Sequence, residues 1–181
     1  MCAMTLKSHL IVGAVGAILA YPHIGGYRSL LFFVASFLID ADHYLDYLWR
    51  TRDKKGIPQD WRPRSMFKFY DEDLKNLHDP RKLSFSLLHT VEAFLVVYML
   101  AIFLNYEFFI TVLGGMAFHT LFDVLWAVQH KVIFGRPFSI LEYLLRKQSM
   151  KKKGLDPDEF SQDMFTRSQA QFTKTNLPLE I

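Results

Sequence analysis

The sequence predicts an all-α integral membrane protein. Residues 1–136 form a four-helix bundle interrupted by a cytoplasmic loop at 50–84, and 137–181 form an amphipathic and polar cytoplasmic tail. Three observations predict it. Four apolar segments are too long for strands, and three reach the roughly 20 residues that cross a bilayer core. The last two are joined by Asn105-Tyr106-Glu107 alone, which makes them an antiparallel hairpin. With four spans, 20 of the 21 Lys and Arg residues fall on one side, and that asymmetry marks the cytoplasmic face.

The first segment, 6–21 ("LKSHLIVGAVGAILAY"), is the shortest and ends at Tyr21-Pro22. Lys7 followed by Leu10 to Ala20 has the outline of a signal peptide. A cut before Tyr21 would put Ile18 where a small residue belongs, so the segment reads as a span. The second segment runs over 29–49. The third is 85–104 ("FSLLHTVEAFLVVYMLAIFL") and the fourth 108–128 ("FFITVLGGMAFHTLFDVLWAV"). The 50–84 loop carries ten basic residues, the chain from Lys131 carries nine, Lys7 adds one, and only Arg28 lies opposite. Both termini are therefore expected in the cytoplasm, in a bacterial-type inner membrane. The tail stretch "PFSILEYLLRKQSMKKK" begins apolar and ends basic. It suits either a helix lying on the membrane, with Lys151, Lys152 and Lys153 against anionic headgroups, or an ordinary positive flank. A further helix is expected from Pro157, and a loose end at "TNLPLEI".

Composition removes some classes. The net charge of +3 gives no reason to expect a nucleic-acid partner. Cys2 is the single cysteine, so disulfides and cysteine-based zinc sites are excluded.

Ionisable residues inside the spans carry the functional signal, because charge in an apolar setting is retained for a task. His9 shares a helix face with Gly13, Gly16 and Ala20, a small-residue stripe that lets a neighbouring helix approach. In "LIDADHYLDYL" (38–48), Asp40 and His43 are i,i+3 and face the same way. Asp42 and Asp46 are i,i+4 on another face. A regular helix cannot aim all four at one point, so either the helix distorts or only some are ligands. His89 and Glu92 are i,i+3 on the third segment, and His119 and Asp123 are i,i+4 on the fourth. A histidine–carboxylate pair on each of three helices is how helical bundles build metal sites. Oxygen and imidazole ligands suit a divalent ion, zinc first, with manganese or iron as alternatives. A carboxylate outside the ligand set can hold a ligand histidine through its other ring nitrogen. The predicted orientation brings all these clusters to the cytoplasmic half of the bundle.

The order His9 with its following glycines, Asp40-Ala-Asp-His43, His89-Thr, then His119-x-x-x-Asp123 resembles the family of predicted membrane-bound metal-dependent hydrolases. That family is similar in motif order to zinc-dependent phospholipases C. The resemblance covers about residues 6–130 and implies a four-helix membrane protein with a metal site and hydrolytic activity. Many members place a His-Arg pair shortly before the third-helix histidine. Here Ser84-Phe-Ser-Leu-Leu has neither, while His78 and Arg81 lie upstream. Thr90 stands where a serine is usual.

The expected mechanism is metal-activated hydrolysis. His43, His119 and Asp123 are the first ligands, and His9, Asp40 and His89 complete one or two sites; Asp42 is also a ligand candidate. Asp42 or Glu92 is the expected general base. A phosphoester, lipid-linked at the cytoplasmic leaflet, is the expected substrate, since paired metal ions suit in-line displacement at phosphorus. Membrane lipids are the expected partners. The competing classes are a non-catalytic membrane protein with a structural metal or polar helix contacts, and a small proton or metal transporter.

Overall fold

The computed structural model describes residues 6–52 and 61–175, with side chains over 8–52 and 61–170. Part of the 50–84 loop and the loose end expected past Thr175 lie outside the described residues. Everything regular among the described residues is helical: α1 (Leu6–Leu38), α2 (Ala41–Arg50), α3 (Pro63–Lys75), α4 (Val91–Phe103), α5 (Tyr106–Gln129), α6 (Ile140–Lys152) and α7 (Pro157–Thr175). Single 3-10 turns cover Leu87–His89 and Ile133–Gly135.

Helix α1 is a folded hairpin. Gly25 adopts φ 77° and ψ 170°, which a residue with a side chain rarely does, and the chain reverses there. Ser29 Oγ then donates to the Ala17 carbonyl at 2.8 Å, and Gly13 faces Ser36 and Phe33. The first two apolar segments are thus the two arms of one hairpin, and the first arm continues past Pro22 to the reversal. The expected small-residue stripe is used for close approach: Gly16 lies under Phe118 of α5, and Gly115 of α5 lies against the Phe32 backbone. Helix α5 packs along the α1 hairpin on one side and against α4 on the other.

Two expected helices are interrupted. The 29–49 helix breaks at Ile39-Asp40, where the Asp42 and His43 amides bond the Ile39 and Asp40 carbonyls in tight three-residue turns. The 85–104 helix begins only at Val91, because Thr90 stands extended and its Oγ1 caps the Ala93 amide at 3.3 Å. His89 therefore sits before the helix. Both short arms stop at one level: α1 ends just before Asp40, and α4 starts just after His89. At 1.5 Å per residue, α4 is only about 20 Å long. The stretches Ser8–Arg50 and Tyr106–Gln129 are long and apolar enough to cross a membrane.

A second layer packs beneath this level. Helices α2, α3 and α7 share an apolar core of Tyr47, Phe69, Tyr70, Phe160, Met164 and Phe165. Phe69 and Phe160 are fully buried, which is worth roughly 2–3 kcal/mol each relative to exposure. The tail thus returns to cover the loop. A buried ion cluster locks the same layer: Arg50 contacts Asp46 at 3.4 Å and Asp73 at 3.2 Å, and Lys82 pairs with Asp73. Burial pushes the Asp73 carboxyl up, but the Arg50 and Lys82 charges outweigh it and hold it down at about 2. Asp46 is buried and accepts from Tyr70 of α3 at 3.0 Å.

Candidate metal centre

The chain brings four segments to one point. His9 comes from the start of α1, Asp40 and His43 from the α1–α2 break, His89 from the 3-10 turn before α4, and His119 and Asp123 from the second half of α5. Asp40, His89, His119 and Asp123 each offer a ligand atom, and all four atoms lie within 4.8 Å of one another. His119 Nε2 is 3.2 Å from Asp40 Oδ1 and 3.5 Å from Asp123 Oδ2. His89 Nε2 is 3.9 Å from Asp40 Oδ1 and 3.5 Å from Asp123 Oδ2.

His43 and His9 complete the rim through Asp40. His43 Nε2 is 3.3 Å from Asp40 Oδ1, and His9 Nδ1 is 3.4 Å from Asp40 Oδ2. The rings stack in pairs: His9 on His119 with centroids 4.6 Å apart, and His43 on His89 at 5.4 Å and 2°. All the predicted ligands except Asp42 therefore face this group.

Asp42 has a different task. Its Oδ2 accepts the Leu88 amide at 2.7 Å and stands 3.2 Å from His89 Nδ1. An ionised carboxylate only accepts, so His89 carries its proton on Nδ1 and turns a bare Nε2 toward the centre. The break at Asp40 makes this possible, because it frees Asp42 from the regular register of the second helix. His43 is held alike, with Nδ1 3.2 Å from Ser86 Oγ. Glu92 is not part of the group. With His89 outside the helix, the i,i+3 relation fails, and Glu92 Oε1 accepts from Ser139 Oγ at 2.7 Å and the Ile140 amide at 3.1 Å. It ties α4 to the start of α6.

The donor set fits a divalent cation. Asp40 Oδ1 and Oδ2, His43 Nε2, His89 Nε2, His119 Nε2 and Asp123 Oδ1 are all buried without a hydrogen-bond partner. Each such atom costs about 1–3 kcal/mol when left bare. Their concentration around one point is the signature of ligands, since buried polar groups otherwise find partners. Three imidazoles and two carboxylates suit zinc, manganese or iron.

Two features escape sequence reasoning. Ser86 is one. The other is Arg136, buried after the 3-10 turn that follows α5, whose Nη1 donates to Asp123 Oδ2 at 2.8 Å. Its only sequence signal is an isolated cation before an apolar run, hidden among the other basic residues of the flank. Arg81 does not reach the group; it pairs with Asp79 at 3.0 Å and Asp163 at 3.3 Å.

An apolar recess lies beside the centre. It holds about 180 Å³ between the α1–α2 break and α3, and Phe37, Leu38, Met66 and Phe67 line it. Asp40 and His43 also border it, with Asp40 Oδ1 and Oδ2 and His43 Nε2 buried away from it. No family model, curated protein or solved structure matches the chain.

Proposed function

We propose that the protein is a membrane-bound, metal-dependent hydrolase acting on a phosphoester at the cytoplasmic face. The observation that carries the reading is the convergence of bare His Nε2 and carboxylate oxygens from four segments on one buried point. Asp40, His89, His119 and Asp123 would hold the ion, with His43 and His9 beside them. A divalent ion in such a site lowers the pKa of its water and polarises a scissile oxygen.

The chain's own residues divide the remaining work. Asp42 fixes the tautomer of His89, and Ser86 orients His43. Asp40 is the least buried of the group, with its side chain 10% exposed against 1–4% for His43, His89, His119 and Asp123, and both its carboxylate oxygens are buried against the other ligand atoms. The recess beside it suits the apolar part of a lipid-linked substrate.

The surface supports membrane insertion. In the most apolar 18-residue window of each long stretch, only 11% and 28% is buried within the fold, whereas the core helix of a water-soluble protein is mostly buried. Ile11, Ile18, Leu19, Leu30, Val96, Ile102, Leu121 and Leu125 are all exposed. In this reading the α1 arms, α4 and α5 are the four spans, and the basic flanks place both termini in the cytoplasm.

The test is hydrolysis of a chromogenic phosphoester by detergent-purified, zinc-loaded protein. Activity should be abolished in Asp40→Ala and His119→Ala. Folded, metal-bearing wild type with no activity on any phosphoester, water-soluble or lipid-linked, would refute the hydrolase reading.

A further inference from the structure

We propose that Arg136 forms an anion subsite beside the metal centre, built to take an oxygen of a phosphate group. The inference rests on the proposed function and deepens it by giving the charged part of the substrate its own donor. Arg136 is only 4% exposed. Its Nη1 donates to Asp123 Oδ2 at 2.8 Å, and that same oxygen lies 3.5 Å from both His89 Nε2 and His119 Nε2. The guanidinium is therefore one carboxylate away from the ligand atoms.

Its second terminal nitrogen, Nη2, is buried and makes no hydrogen bond. A buried guanidinium with a bare N–H is costly, and its planar fork matches the oxygens of a phosphate. Neutralising Asp123 needs one donor, which Nη1 supplies; that task leaves Nη2 unexplained. A second bare donor lies on the adjoining segment. Ser84 Oγ is buried and unbonded, and the Ser84 amide bonds the carbonyl of Gly135, the residue before Arg136. A charge-assisted bond from Arg136 Nη2 to phosphate would hold the anion against the metal ligands.

The experiment uses full-length, zinc-loaded protein in detergent, with inorganic phosphate as the probe. Phosphate affinity is measured by calorimetry and zinc content by elemental analysis. Arg136→Gln should weaken phosphate roughly tenfold or more with zinc content unchanged, and Arg136→Lys should restore part of the affinity. Equal phosphate affinity in Arg136→Gln and wild type, zinc unchanged, would mean that Arg136 serves Asp123 alone and would overturn the proposal. So would a zinc-loaded wild type that binds no phosphate. Should either variant fail to fold, arginine-15N spectra of the wild type decide: phosphate must shift a buried guanidinium resonance, and unshifted resonances overturn the proposal. Phosphate binding that depends on Arg136 without any hydrolysis sinks the hydrolase reading but leaves the subsite standing. A chain that takes up no zinc sinks both.

Discussion

Asp42 and His89 lie 47 positions apart, yet the Asp42 carboxylate holds the Nδ1 side of the His89 ring at 3.2 Å. That contact sets which nitrogen of His89 faces the centre. Asp42→Ala frees the ring to rotate and change tautomer, and metal affinity should fall about 10–100-fold. A zinc competition titration measures it. Unchanged affinity in a folded variant would show that His89 is held by other means.

Glu92 provides the contrast. Its carboxylate joins α4 to the first turn of α6 and touches no ligand. Glu92→Gln should leave metal content and affinity unchanged while lowering the melting temperature slightly. A loss of metal instead would place Glu92 in the centre after all.

The contact between α1 and α5 depends on a missing side chain. A Cβ on Gly115 would lie 2.5 Å from the Phe32 carbonyl oxygen, which is backbone and cannot swing aside. Gly115→Ala should force the helices apart at a cost of roughly 1–3 kcal/mol. It should also weaken zinc, because His119 lies one turn further along α5. A neutral effect on melting in detergent would contradict this packing.

Acid should loosen the layer formed by α2, α3 and α7. The Asp73 carboxyl is held down to about 2 by Arg50 and Lys82, despite burial pushing it up. A carboxyl depressed in the folded state adds stability that is complete above its unfolded value near 4 and disappears as pH falls toward 2. The contribution is about 2 kcal/mol. Melting of metal-free protein between pH 5 and 2, the range bracketing this group (about 4 unfolded, about 2 folded), should show the decline. Asp73→Asn should be less stable at pH 7 and flatter below pH 4. A variant that retains the full acid slope would assign it to other groups.

Much of the centre is legible in the sequence because its residue types are conspicuous where they stand. His9, Asp40, His43, His89, His119 and Asp123 interrupt apolar runs, and an apolar setting leaves charge few ordinary uses. The geometry is less legible. Helical spacing pairs His89 with Glu92, but the capping Thr90 starts the helix one residue too late for that pairing. The break at Asp40 has no Pro or Gly to announce it, so helical spacing gives no sign that Asp42 stands against His89 Nδ1. Gly25 reads as part of a loop, and it is the reversal of a hairpin. Long-range contacts leave the weakest trace. Phe160, Met164 and Phe165 form one apolar face in a polar tail, and nothing local says that α2 and α3 cover it. Arg136 looks like one more basic residue of a membrane flank, and only the tertiary fold sets it on Asp123.

The most direct test of the metal centre is the metal content of the protein itself. Wild type purified in detergent and incubated with zinc should retain at least about one divalent ion per chain after exhaustive dialysis. Asp40→Ala and His119→Ala, checked for native helicity, should retain close to none. A folded wild type that keeps no zinc, manganese or iron, or variants that keep as much as wild type, would contradict the assignment.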